Sequence, residues 1–435
     1  MENIRSITFD NGLRLLVCRI SRRHTVSVNV RVNAGTRMED AACSGMAHFV
    51  EHVLFQGTTS LPSNYLLTRA VESLGGEMSG ATHTEYTSYW LNVPGQFLTQ
   101  ALPVFFDMLS YPHFTAENIE KEKSVIIDEI AENAEEGWMQ AQHLLDQAVW
   151  SDHPLARSMY GTEEAIRAFT YQGVQAFFAR HYTPDNMVFA VVGDIDYDEV
   201  VDLFKGYWAE RRPGHLPPLT LDEYEKRSPR PFLHQAKDNG LLHLFLGFKT
   251  PPLHDARQGN YLLLRTLLGE GMSSRFYTAL RGDSGLCYTV DCYIDELRSG
   301  NICSFYIIMH PDNVITVFEK VCAILADICT QPISAQELEH CRGQALGKLL
   351  READDLDDQA RMLSLSTFLG GATLTLDEQI AQIAQADVAQ LQEAARQMLH
   401  PDNRYMALVG PLSARKWQRC QQLMRFALPT EALLS

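Results

Sequence analysis

No stretch of this 435-residue chain approaches the roughly 18 apolar residues of a membrane-spanning helix, so none is expected. The start, MENIRSITFDNG, lacks the basic-then-apolar pattern of a secretory signal, and a cytoplasmic protein is expected. The nine cysteines include no C-x-x-C pair, which argues against a disulfide framework or a Cys-based zinc site. Reduced thiols in a reducing compartment are the expectation. Positive charge is also short: 37 Lys and Arg face 54 Asp and Glu, a net charge of -17. That balance excludes nucleic acid and anionic membrane surfaces as partners. What is present is 46% hydrophobic and 21% charged residues, the composition of a soluble globular protein. The length is too great for one ordinary domain and comfortable for two.

The two halves are related. TPDNMVFAVVGD (183–194) and HPDNRYMALVGP (400–411) share Pro-Asp-Asn and a later Gly at a constant offset of 217 residues. Each reads as a turn followed by a short strand, with a helix-like stretch before it. A tandem duplication explains this. The join falls in RRPGHLPPLTLDEYEKRSPRP (211–231), which holds five prolines and many charges. The expected layout is a domain at 1–212, a linker at 213–231 and a second domain at 232–435. ITFDNGLRLLV carries an Asn-Gly hairpin signal, and VSVNVRVNAG (26–35) and TSYWLNV (87–93) read as further strands. The expected class is α+β: two tandem homologous domains, each a mostly antiparallel sheet with helices packed on one face.

The sharpest chemistry lies in HFVEHVLFQGT (48–58). Ser44 can cap a helix here and Gly57 can end it. At about 100° per residue, Met46, Phe49, Val50, Val53 and Leu54 form one stripe and His48, Glu51 and His52 the opposite one. A solvated face is the ordinary alternative. However, Phe55 shares the histidine face, and the segment is poor in Lys, Arg and Asp. Histidines four apart project side by side and can bind one metal. A glutamate between them can act as general base toward water at that metal. H-x-x-E-H is the inverse of H-E-x-x-H. Catalytic zinc needs a third protein ligand.

A second helix, TAENIEKEKSVIIDEIAENAEE (115–136), supplies candidates. Glu122 and Glu129 fall on the same face as Ile119, Val125, Ile126 and Ile130, with Glu117, Glu120, Lys121 and Asp128 outside. An inward carboxylate needs a partner. Metal and a metal-bound histidine would supply two; inward salt bridges are the alternative.

GTRMEDAACSGMAHFVEHVLFQGT resembles the signature of the pitrilysin/insulinase family of zinc peptidases, which includes mitochondrial processing peptidase and bacterial processing peptidases. In the processing-peptidase type the ligand glutamate follows the motif after 76 residues; here 76 residues, 53 to 128, separate His52 from Glu129. The resemblance implies that His48, His52 and Glu129 bind one Zn2+ per chain, that Glu51 is the base, and that Glu122 orients a ligand histidine. LLGEGMSSRFYTALRGDSGLCYTV (267–290) is similar to the family's glycine-rich and Arg/Tyr region, which places the substrate-contacting pair on Arg281 and Tyr288. ATHTEYTSYWLNV (81–93) resembles its sheet-edge strand, with Ala81, Thr82 and Thr84 as substrate-binding positions. Gly80 departs from the Asn often found there.

The resemblance further implies half of a clamshell, completed as a homodimer or as a heterodimer with a related chain. The expected function is a zinc-dependent endopeptidase acting on peptides or unfolded segments, either as a general oligopeptidase or as a precursor- or leader-peptide processing protease. The alternative is a non-catalytic structural or binding subunit, which predicts a degraded metal motif; here all four residues are present.

Overall fold

The computed structural model describes residues 3–214, 230–238 and 240–426. Most of the expected linker, 213–231, therefore lies outside the described residues. In the first half of the chain the strands are β1 (Asn3–Thr8), β2 (Arg14–Arg19), β3 (Thr25–Val32), β4 (Glu77–Thr82), β5 (Thr87–Pro94) and β6 (Met187–Gly193). The helices are α1 (Met46–Leu54), α2 (Asn64–Glu72), α3 (Leu98–Met108), α4 (Ala116–Glu135), α5 (Gly137–Trp150), α6 (Glu163–Ala168), α7 (Tyr171–His181) and α8 (Tyr197–Trp208). The second half carries β7 (Phe232–Gln235), β8 (Leu242–Thr250), β9 (Cys287–Asp295), β10 (Asn301–Met309) and β11 (Tyr405–Val409). Its helices are α9 (Gln258–Gly269), α10 (Arg275–Tyr277), α11 (Val314–Thr330), α12 (Ala335–Glu352), α13 (Leu356–Gly370), α14 (Leu376–Gln385), α15 (Val388–Met398) and α16 (Ala414–Met424).

Two sheets form, with orders β1-β2-β6-β3-β5-β4 and β7-β11-β8-β10-β9. Among the described strands only β2–β6 and β7–β11 pair parallel. The Asn-Gly turn joins β1 to β2, with Gly12 at φ 87. TSYWLNV forms β5, one strand in from the edge; the edge strand is β4, so 81–93 spans the end of the edge strand, a turn and its neighbour.

The Pro-Asp-Asn repeat has one job in both sheets. Asn186 donates through Nδ2 to the carbonyls of Asn33 (3.0 Å) and His181 (2.6 Å), clamping the end of α7 to the residue just past β3. Asn403 does the same with Lys249 (2.8 Å) and Met398 (2.9 Å), at the end of α15. A side chain that satisfies two carbonyls at a helix end explains why this tripeptide recurs.

Helices pack on one face of each sheet, as expected. The opposite face is also covered, by one helix from the other half of the chain. In β3 every residue from Val26 to Val32 is buried. Val26, Val28, Val30 and Val32 face the main core with α1 and α3. Ser27, Asn29 and Arg31 face α13, where Ser27 Oγ meets Asp357 Oδ1 (3.1 Å) and Ser364 Oγ meets Asn29 Oδ1 (2.7 Å). Leu16, Cys18, Val188, Ala190 and Val192 meet Ala360, Leu363, Leu365 and Phe368 of α13. In the second sheet Phe245, Ala407 and Val409 pack on Ala141, Leu145 and Ala148 of α5. The compact units therefore do not follow a single cut near 212–232. One gathers residues up to Glu132, those from Arg157 to the linker, and Arg351–Leu374; the other gathers Asn133–Ala156 and the rest of the second half. The physical reason is that an interior strand buried on both faces needs a second apolar cover, and the exchanged helices provide it.

Gly247 marks how close this cover lies: a Cβ there would stand 2.8 Å from Leu145 Cδ1. Leu145→Ala should therefore open a cavity that β8 cannot fill and cost about 2–5 kcal/mol in urea unfolding of the second unit. A change below about 1 kcal/mol would mean that α5 is not a core element.

Candidate metal centre

Helix α1 enters through Gly45, at φ 89. Ser44 does not cap it; Ser44 instead closes the preceding turn, Ala41–Cys43. The Glu39 carboxyl accepts from the amides of Gly45 and Ala47, both at 2.8 Å, and so satisfies two open donors of the first turn; burial pushes its pKa up to about 8 against these hydrogen bonds. Gly57 stops the segment at φ 130, and a Cβ there would lie 2.6 Å from the Leu61 carbonyl oxygen. The apolar stripe Met46, Phe49, Val50, Val53 and Leu54 is buried in the first core. The opposite face is not solvated, for His48 and Glu51 are also buried.

Helix α4 lies against that face. Ile119, Glu122 and Ile126 are buried, and Glu129 is partly so. Val125, placed inward by periodicity, is instead 43% exposed. His48 Nε2 and His52 Nε2 stand 3.1 Å apart, and Glu129 Oε2 is 3.6 Å from each. Glu122 Oε1 meets His52 Nδ1 at 2.9 Å, and Gln56 Nε2 donates to Glu122 Oε2 at 2.9 Å. The Glu122 contact favours the His52 tautomer with its proton on Nδ1, in which the Nε2 lone pair faces His48 and Glu129. Thr82 Oγ1 donates to Glu51 Oε2 at 2.7 Å.

The electrostatics suit a cation. Burial, and then His52, pushes the His48 imidazole down to about 3, so it stays neutral and keeps a lone pair. Burial opposes charge on His52, but the Glu122 hydrogen bond and the charges of Glu51, Glu122 and Glu129 outweigh it and raise its pKa. Burial chiefly raises both Glu51 and Glu129; Thr82 counters it at Glu51 and His52 at Glu129. Glu129 Oε2 and His48 Nδ1 are buried without hydrogen-bond partners. Two ring nitrogens and a carboxylate oxygen that converge this closely fit a divalent ion. His48, His52 and Glu129 form the one such group among the described residues. Two imidazoles and one carboxylate leave a coordination position open, the pattern of catalytic zinc.

The remaining predicted residues lie as follows. Ala81 is on β4. Thr82 ends β4 with its hydroxyl turned to Glu51. Thr84 lies in the turn beyond, where its carbonyl accepts from Arg37 N (2.8 Å). Arg281 sits in a π-helical turn, Thr278–Gly282, with its guanidinium 5.4 Å from the Tyr277 ring. Such turns recur at functional sites. Tyr288 is on the edge strand β9 and 58% exposed. Both belong to the second unit. Sequence reasoning missed Glu39, Gln56 and Tyr160, whose ring packs edge-on against His48 at 5.1 Å. Gln56 was within reach, since it lies one turn beyond His52 on the same face; Tyr160 carries no comparable signal.

Comparison with known proteins agrees with this geometry. The family model for insulinase, peptidase family M16, matches residues 15–163, and the model described as the peptidase M16 inactive domain matches residues 168–345. An uncharacterized zinc protease of Mycobacterium leprae is 28% identical over 413 residues, 94% of this chain and 92% of the relative. One from Bacillus subtilis is 27% identical over 408 residues, 94% and 98% of the two chains. Among solved structures, a protease from Helicobacter pylori superposes with a TM-score of 0.85 at 20% identity, covering 94% of this chain and all of that one. A peptidase M16 inactive domain from Pseudomonas fluorescens gives 0.87 at 18%, covering 95% and 99%. At these identities the two structures speak for the fold.

Glu122→Gln should weaken zinc binding about 10–100-fold in chelator competition, because it no longer fixes the His52 tautomer. Unchanged affinity would remove Glu122 from the metal centre.

Proposed function

The chain belongs to peptidase family M16, the insulinase family, and we propose that it is a zinc-dependent endopeptidase. The carrying observation is that Glu51 projects, buried, from the same helix face as His48 and His52, whose ring nitrogens converge with Glu129. A zinc ion held by His48, His52 and Glu129, one per chain, would polarise water and a peptide carbonyl. Glu51 handles the proton: it takes one from the attacking water and returns it to the departing amine. Burial raises its pKa, which makes it a stronger base when ionised and a competent donor afterwards. Glu122 and Gln56 hold His52 in the ligand tautomer. Arg281 and Tyr288 contact the substrate carbonyl region, where a phenol OH stabilises developing negative charge.

The division of labour assigns the metal to residues 1–212 and the Arg/Tyr contacts to 232–435. The model named an inactive domain matches residues 168–345, a span that includes Arg281 and Tyr288 and none of His48, Glu51, His52 and Glu129, which fits that assignment. A two-unit chain of this family acts as a homodimer or beside a related chain, and it takes peptides or unfolded segments as extended strands. A leader- or precursor-processing role is the narrower form of the same reading; a broad peptide panel separates the two by many products against one.

The test is cleavage of a mixed peptide pool by the wild-type chain and by Glu51→Gln, with zinc measured in both. Wild type should cleave and the variant should lose about 10²–10⁴-fold in rate with its zinc retained. His52→Ala should lose the zinc. Zinc absent from the wild type would sink the assignment. Zinc bound with equal cleavage by both chains would remove Glu51 from the chemistry.

A further inference from the structure

Thr82 ends the edge strand, where an extended peptide would find main-chain partners, yet its side chain faces the other way. It is 6% exposed, and its hydroxyl donates to Glu51 Oε2 at 2.7 Å. Its cross-strand partner in the antiparallel pair is Thr87. Thr87 Oγ1 gives its own proton to the Ala34 carbonyl, at 2.5 Å, and lies 3.4 Å from Thr82 Oγ1. Thr87 thus has an acceptor of its own in the Ala34 carbonyl, and the Thr82 hydroxyl takes Glu51 Oε2 as its acceptor. A β-branched side chain buried in a strand has few rotamers, so this donor is fixed in direction.

Gly80 is two residues earlier on the same face of β4. A Cβ there would lie 3.2 Å from Glu51 Cγ and 3.0 Å from the Tyr89 ring. The Glu51 chain therefore fills the space that a side chain at position 80 would need. Behind it, the Tyr89 and Tyr182 hydroxyls close a buried pair at 2.6 Å.

We propose that Thr82 is a positioning residue for Glu51: its hydroxyl sets the orientation of the carboxylate, and Gly80 leaves the room for it. Thr82 then contributes to turnover and not to substrate affinity through its side chain. This rests on Glu51 being the general base.

The experiment uses the full zinc-loaded chain, with Thr82→Val and Thr82→Ser, assayed on peptides cleaved from the mixed pool. Thr82→Val keeps the shape and removes the hydroxyl. Its kcat should fall about 10–100-fold with zinc content unchanged, and KM should move less than about twofold. Thr82→Ser should recover most of that loss. An unchanged kcat in the Val variant overturns the proposal, and so does a rise in KM alone, which would make Thr82 a substrate contact. A Ser variant as slow as the Val variant also overturns it, because packing alone would then be the cause. Crystal structures of the two variants give a readout independent of turnover. The Glu51 carboxylate should keep its orientation with Ser and leave it with Val. If the wild type cleaves nothing, the endopeptidase reading fails, and these structures still decide the positioning: a carboxylate unmoved in the Val variant ends it.

Discussion

Two ring nitrogens, His48 Nε2 and His52 Nε2, and one carboxylate oxygen, Glu129 Oε2, meet within 3.6 Å of one another between α1 and α4. His48 and Glu51 are buried there, and buried polar groups without partners are costly. The surroundings are arranged to tolerate that cost. Glu39 anchors the positive end of α1, Gln56 and Glu122 hold His52, and Thr82 holds Glu51. The contacts draw on the segment before α1, the residue Gln56 just beyond it, α4, and β4. The site thus constrains four parts of the chain at once. A cation at the convergence point removes the remaining mismatch and couples metal binding to the stability of α1 and α4.

The second unit shows the same frame with other contents. There α9 follows the interior strand β8 as α1 follows β3, and α12 precedes the exchanged helix as α4 does. In place of a metal group, α9 and α12 are joined by an ion network. Glu270 faces Arg265 Nη2 at 3.6 Å, accepts from Thr266 Oγ1 at 2.9 Å, and is closed by Lys348 from α12. Burial works against charge on Glu270, but Arg265 and Lys348 outweigh it and keep its carboxyl below the usual range. Positive charge that a metal ion would bring to the first unit is here built into side chains. The same two-helix frame would be held in one case by an external cation and is held in the other by Arg and Lys.

What could be read from the chain follows from which signals are local. The metal face was legible because H-x-x-E-H and the Glu122/Glu129 spacing are periodic within single helices. The duplication was legible because Pro-Asp-Asn performs a local task, the clamping of a helix end. The helix exchange was not. Amphipathic periodicity says that α5 and α13 bury a face, and it cannot say against which sheet. The N-cap was misassigned for a related reason. Ser44 has the right chemistry at the right distance, but Glu39 reaches the same amides from six and eight residues away. Thr82 was legible as a position on the strand and not as a direction. Alternation on β4 fixes which residues share a face, while only the placement of α1 fixes which face meets Glu51.

That placement has a consequence for the sheet edge. An edge strand exposes a row of unpaired amides and carbonyls and invites pairing with another chain. Here β4 is that edge, and it is six residues long. Its Met78, Gly80 and Thr82 turn inward over the first core and Glu51, while Glu77, Ser79 and Ala81 turn outward. The open backbone therefore runs beside the carboxylate, with one layer of small side chains between them. A longer residue at position 80 would press on Glu51, for a Cβ there already stands 3.2 Å from its Cγ. The strand thus leaves its edge open while Gly80 leaves room for the buried Glu51 beneath it.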